Sequence, residues 1–162
     1  MPAQTISPTE EKHLRDVIRL SKQSRDDGNH PFAALLVSGE GKVLMTAMNQ
    51  SRTERDATGH AERVLMTKAS QTFEASVLAQ ATMYTSAEPC AMCAGAVYWT
   101  GIKGVVYALS ETRLKQMIGP HPENLTMDLP CRSVFAAGQR QIAVLGPALE
   151  DEALAVHEGF WT

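Results

Sequence analysis

The sequence of 162 residues is short of several features that mark specialised protein classes. It has three cysteines, an odd number, and Cys90 and Cys93 are too close and too patterned to belong to a secreted disulfide framework. A reducing compartment is the better fit. No stretch approaches the roughly 20 consecutive apolar residues of a membrane span, and Met1 to Lys12 has neither an apolar run nor a basic start. The expectation is a cytoplasmic protein without a membrane anchor. Cationic excess is missing too: the net charge is -3 and no basic patch is evident, which argues against long nucleic acid as a general partner. Internal repeats, low-complexity tracts and linkers are likewise absent. What remains is an ordinary globular composition, 44% apolar and 20% charged, at a length that suits one core. A single domain over residues 1–162 is expected.

Ser7-Pro8-Thr9-Glu10 reads as an N-cap, a proline in the first helical turn and a capping-box glutamate, followed by Leu14, Val17, Ile18 and Ser21 at helical spacing. This predicts a helix to about Asp27. Two apolar runs, Phe32 to Ser38 and Lys42 to Met48, flank Gly39-Glu40-Gly41 and predict a hairpin. Further elements are a helix from His60 to Ala69, a linker over residues 70–80 and a strand from Ala81 to Thr85. They are followed by a helix from Pro89 to Trp99, a strand from Lys103 to Leu109 and a helix from Ser110 to Ile118. Gly119-Pro120-His121-Pro122 forces a loop, and the chain closes with a strand over Gln141 to Leu145 and a helix over Leu149 to Phe160. Phe160 and Trp161 are expected to pack that helix down. The order implies an α/β fold in which a mixed five-stranded sheet is flanked by helices.

His60-Ala61-Glu62 and Pro89-Cys90-Ala91-Met92-Cys93 carry the chemistry. Cysteines three apart at a helix start face one side, where unsatisfied N–H groups and the positive end of the dipole favour thiolates. Soft thiolates select zinc among common intracellular metals. A histidine at the start of another helix would supply a third ligand and leave one tetrahedral position for water, the arrangement of a catalytic zinc. Zinc lowers the pKa of its bound water to about 7, which provides a nucleophile at neutral pH. Glu62 lies about 200° around an ideal helix from His60, so it need not share the metal and is free to accept and deliver protons.

These two motifs match the H-x-E and P-C-x-x-C signature of the cytidine deaminase superfamily of zinc deaminases. The resemblance extends over roughly Pro31 to Leu109. It includes Asn49, Asp56 to Glu62, Thr85 to Cys90 and Ala94-Gly95-Ala96 in the family's order. It implies a three-layer α-β-α fold, one Zn²⁺ per chain held by His60, Cys90 and Cys93, catalysis by Glu62, a small nucleobase or nucleoside as substrate, and a homodimer. Within the superfamily the chain resembles the branch of guanine deaminases, tRNA adenosine deaminases and fungal-type cytosine deaminases. Tyr98-Trp99 is similar to the guanine deaminase version, so the resemblance puts guanine or a related purine first. By the same resemblance Asn49 would bond the base, Phe32 and Trp99 would pack on it, and the backbone at Ala61 and Glu88 would hold its reacting edge. Ala57, Gly59 and Ala33 depart from the usual proline, alanine and glycine of the family.

Other readings stand beside this one. A tRNA adenosine deaminase is suggested by Ala91 to Ala96 but opposed by acidity; a cytosine- or cytidine-type deaminase is a further alternative. From another class comes a catalytically inactive, zinc-stabilised interaction domain. Cys131 would complete a closed structural site in such a domain, although a small buried apolar role is the ordinary fate of a free cysteine. His13, His30, His121 and His157 lack partner spacing and read as surface or loop residues.

Overall fold

The computed structural model describes residues 5–162. The helix α1 (Pro8–Asp26) begins with the expected capping box: Glu10 N–H donates to Ser7 Oγ at 3.1 Å, and Ser7 N–H donates to Glu10 Oε1 at 2.9 Å. Its apolar stripe, Leu14, Val17 and Ile18, is buried. The hairpin follows as β1 (Ala33–Val37) and β2 (Val43–Met48), turning through Gly41, whose positive φ favours glycine. Next are α2 (Ala61–Thr72), α3 (Ala75–Leu78), β3 (Thr82–Ala87), α4 (Ala91–Thr100) and β4 (Gly104–Leu109). The remaining elements are α5 (Glu111–Ile118), α6 (Cys131–Ala136), β5 (Ala143–Leu145) and α7 (Glu150–Ala155).

The strands form one mixed sheet in the order β2-β1-β3-β4-β5. β1 runs antiparallel to β2 and β3, whereas β3, β4 and β5 are parallel. Side-chain alternation explains why β1 is buried along its whole length. Ala34 and Leu36 face a core shared with α2, α4 and α6; Ala33, Leu35 and Val37 face one shared with α1, α5 and α7. Three layers result. The parallel strands β3 and β4 open at their carboxyl ends onto Glu88 and Glu111, the edge where α/β sheets hold ligands.

The elements depart most from expectation in four places, beyond shifts of a few residues at the ends of α2, β3 and β5. Two short helices appear that periodicity did not reveal, α3 inside the linker and α6 after Pro130; with four and six residues they are too short to show a repeating face. Helix α4 starts at Ala91 with Cys90 as its N-cap, leaving Pro89 outside. Helix α7 ends at Ala155, and the chain then turns through Gly159 at φ 72°. This brings the C-terminal aromatic residues back toward the sheet: Trp161 lies 5.0 Å from the His30 ring and 6.3 Å from Phe32.

Candidate active site

Both metal-site helices begin at a candidate ligand. His60 is the N-cap of α2 and Cys90 the N-cap of α4, and neither side chain makes a capping hydrogen bond. Their donor atoms are therefore free to turn toward each other. His60 Nδ1 lies 3.6 Å from Cys90 Sγ and 3.7 Å from Cys93 Sγ, and the three donor atoms all fall within 4.8 Å of one another. Tetrahedral zinc with ordinary Zn–S and Zn–N bonds places sulfur and nitrogen about 3.6 Å apart, so the cluster fits that ion. The thiols share one proton unequally. The hydrogen bond from Cys93, assisted by His60 and the Cys93 backbone N–H, pushes Cys90 down to about 4, while Cys90 and burial push Cys93 up. A dication displaces the remaining proton.

Glu62 is buried beside the cluster, and burial raises its pKa. Thr85 Oγ1 lies 2.6 Å from Glu62 Oε1 and 2.8 Å from the Ala87 carbonyl, yet a hydroxyl has a single proton. With Glu62 ionised, Thr85 donates to it. With Glu62 protonated, the acid donates to Thr85 and Thr85 turns its proton to Ala87. The contact thus serves both protonation states without moving the carboxyl.

Above this floor lies a cavity of about 470 Å³, within the range of small-molecule sites. His60, Glu62 and Cys90 line it, as do Phe32, Asn49 and Glu88. Asn49 Oδ1 accepts from Ser51 N–H at 3.0 Å and Ser51 Oγ at 2.8 Å, which leaves the Nδ2 donor for a ligand. The preceding loop closes tightly: a Cβ at Gly59 would meet Asp56 O at 3.0 Å and Ser51 N at 3.2 Å, a steric reason for glycine at that departure from the family pattern. Glu88 faces the cavity, but its carboxylate is engaged, with Oε1 accepting from Glu111 N–H at 3.1 Å and Oε2 from Cys131 N–H at 2.9 Å. Ala61 is fully buried between His60 and Glu62 and does not line the cavity.

Two expectations need correction. Trp99 is 82% exposed and absent from the cavity wall. It lies nine residues after Cys90, half a turn out of phase on an ideal helix, so α4 cannot present both to one side. The loop histidines are also less peripheral than their spacing implied. His30 lines the cavity, and His157 is buried, accepting a hydrogen bond from Trp161 Nε1 at 3.0 Å. Cys131 is buried, its thiol pushed up to about 12 chiefly by burial, and it lies outside the donor cluster found among the described residues.

The rim of the cavity escaped the sequence reading. Residues 123–127 cross its mouth, with Leu125 71% and Met127 58% exposed. This segment is latched by Glu123, which accepts from Arg52 Nε at 3.0 Å and Nη2 at 2.7 Å and lies 3.5 Å from His30. The Arg52 guanidinium holds the Glu123 carboxyl down to about 2. Glu111 was also missed. Its polar residue type, following a strand and a Ser110 cap, was the available signal, but such a residue ordinarily faces solvent.

Two thiolates and an imidazole beside a buried carboxyl, open to a cavity at the carboxyl edge of an α/β sheet, define the class: a metal-dependent hydrolytic enzyme. The sequence matches the family described as cytidine and deoxycytidylate deaminase zinc-binding region over residues 7–109, and the chain belongs to that family. It is a zinc-dependent deaminase with the family's α/β fold. It is 37% identical to the Schizosaccharomyces pombe protein named "Probable cytosine deaminase", over 99% of this chain and 98% of that protein. It is 33% identical to the Bacillus subtilis tRNA-specific adenosine deaminase over 60% of each chain. The structure of guanine deaminase from Nitrosomonas europaea superposes with a TM-score of 0.74 at 26% identity, covering 96% of this chain and 85% of that one.

Proposed function

We propose that this chain hydrolyses the exocyclic amine of a nucleobase, cytosine first and guanine second, releasing ammonia. The supporting observation is that residues 123–127 and Glu111 form much of the cavity wall, whereas the family match ends at residue 109. The cytosine deaminase-like relative matches through that later segment, whereas the Bacillus subtilis guanine deaminase matches 63% of the chain and the tRNA-specific relative 60%. This moves the first choice from a purine to a pyrimidine.

His60, Cys90 and Cys93 would hold one zinc ion, which supplies Lewis acidity so that water attacks near neutral pH. Phe32 would pack on the base and the Asn49 amide would donate to a ring acceptor. Glu62 takes a proton from the attacking water, passes it to the ring nitrogen and returns a proton to the amine; a C–O bond forms, the C–N bond breaks, and the base leaves with a carbonyl. Thr85 holds the carboxyl throughout. The backbone at Glu88, which lines the cavity, keeps its proposed role at the reacting edge, whereas Ala61 lies behind the wall.

We also propose one catalytic unit per chain, a cytoplasmic address suited to free thiols, and pairing into a homodimer through the exposed Trp99 face of α4. No described helix is long and apolar enough to cross a membrane. Ammonia release from cytosine, guanine, adenine, their nucleosides and a tRNA, measured with the zinc-loaded protein, tests the reading. Turnover of cytosine is expected; tRNA as the only substrate, or no ammonia from any compound, overturns it. Light scattering of the same sample checks the dimer.

A further inference from the structure

Four glutamates line the cavity, and three have work within the protein. Glu62 is held by Thr85, Glu88 by two backbone N–H groups and Glu123 by Arg52. Glu111 is different. It is 5% exposed, and its carboxyl makes no hydrogen bond or ion pair with the described residues, although its backbone is fixed by Glu88 at the start of α5. Leu114, one turn along the helix, lines the same wall and supplies no polar partner. A buried polar group in a ligand cavity without a protein partner is one that the ligand is built to satisfy. Glu111 also stands outside the His60, Cys90 and Cys93 donor cluster, so its carboxyl is left for the substrate and not for the metal.

Its chemistry narrows the partner. Burial, with the Cys90 and Glu62 charges adding to it, pushes the Glu111 carboxyl up to about 9. In either protonation state a carboxyl oxygen accepts an N–H, and the protonated group sets a donor beside that acceptor. Cytosine carries the complement, N1–H beside O2, and guanine carries it as N9–H beside N3. In both bases that N–H is the nitrogen that bears the sugar in a nucleoside.

Resting on the deaminase reading above, we propose that Glu111 determines specificity: a carboxyl oxygen accepts the ring N–H remote from the departing amine, so the site takes free bases and rejects nucleosides.

The test compares kcat/KM of the zinc-loaded wild type, Glu111→Gln and Glu111→Leu on cytosine against 1-methylcytosine and on guanine against 9-methylguanine. The wild type should prefer the free base by about a hundredfold or more. Glu111→Leu should lose about ten- to a hundredfold on the free base, mainly through KM, and discriminate only a fewfold. Glu111→Gln keeps a donor and an acceptor and should keep the preference. Zinc content should not change, and Tm of Glu111→Leu should rise, because an unpartnered buried acid is removed. A wild type that handles methylated and free bases alike overturns the proposal. So does a Glu111→Leu variant that keeps the preference, or one that unfolds or melts lower, which would mark a structural residue. Absence of turnover on every base sinks the deaminase reading itself, whereas turnover with unchanged discrimination in Glu111→Leu sinks Glu111 alone.

Discussion

The floor and the rim of the cavity are built by different means. On the floor, each candidate ligand begins a helix or sits in its first turn, so position follows from local chain geometry: His60 starts α2, Cys90 starts α4, and Cys93 follows within a turn. On the rim, position depends on pairs distant in sequence, such as Arg52 with Glu123, 71 residues apart, and Glu88 with Cys131, 43 apart. Floors of this kind tolerate little change because the reaction needs all their atoms at once. Rims can be rebuilt by altering a loop, and so different bases can be served over one chemistry.

The sharpest way to separate the two regions is at Glu62. Glu62→Gln should retain zinc yet lose about 10²- to 10⁴-fold in kcat, the range for a general acid–base group, as measured by ammonia release alongside metal content. Near-normal turnover would show that the floor does not depend on that proton carrier.

A second effect belongs to the support beneath the rim. Burial lowers His157 to about 4, and Trp161 donates to its Nδ1, which suits the neutral ring. Unfolded histidine titrates near 6.5, so the unfolded chain binds more protons between those values. The contribution of about 3 kcal/mol is complete above pH 6.5 and is lost as pH falls toward 4. Thermal melts over that window should show Tm falling in the wild type and falling less in His157→Phe; parallel curves would remove His157 from the account.

Smaller still is the latch. Arg52→Ala frees Glu123 at a half-exposed pair, worth about 1 kcal/mol or less, so KM should rise up to about fivefold with kcat little changed. Equal losses in kcat and kcat/KM would place Arg52 with the chemistry instead. The least effect is expected at Cys131: Cys131→Ala should leave zinc content unchanged and turnover within about twofold, because the thiol is buried away from the donor cluster. Loss of zinc would return it to the floor.

The division also explains what could be read from the residues. The capping box of α1, the hairpin and the H-x-E and C-x-x-C spacings are short-range patterns, and the mixed sheet follows from their order. Trp99 misled because a residue type was matched without its helical phase. Glu111 and Glu123 look like surface glutamates until the fold brings a wall or an arginine to them; nothing adjacent in the chain distinguishes them from Glu11 or Glu54. The C-terminal aromatic residues were expected to pack, and they do so against His30 and Phe32, giving the cavity wall a backing that periodicity cannot encode.

The carboxylate of Glu88 ties the starts of α5 and α6 to a point two residues before Cys90. Exchange of the late segment between homologues is consequently not a free swap: a transplanted loop arrives with its own demand on that single anchor. Chimeras that bring the matching 88–90 turn should keep their metal and gain the donor's preference, whereas those that leave it behind should show misplaced thiolates before any change in selectivity.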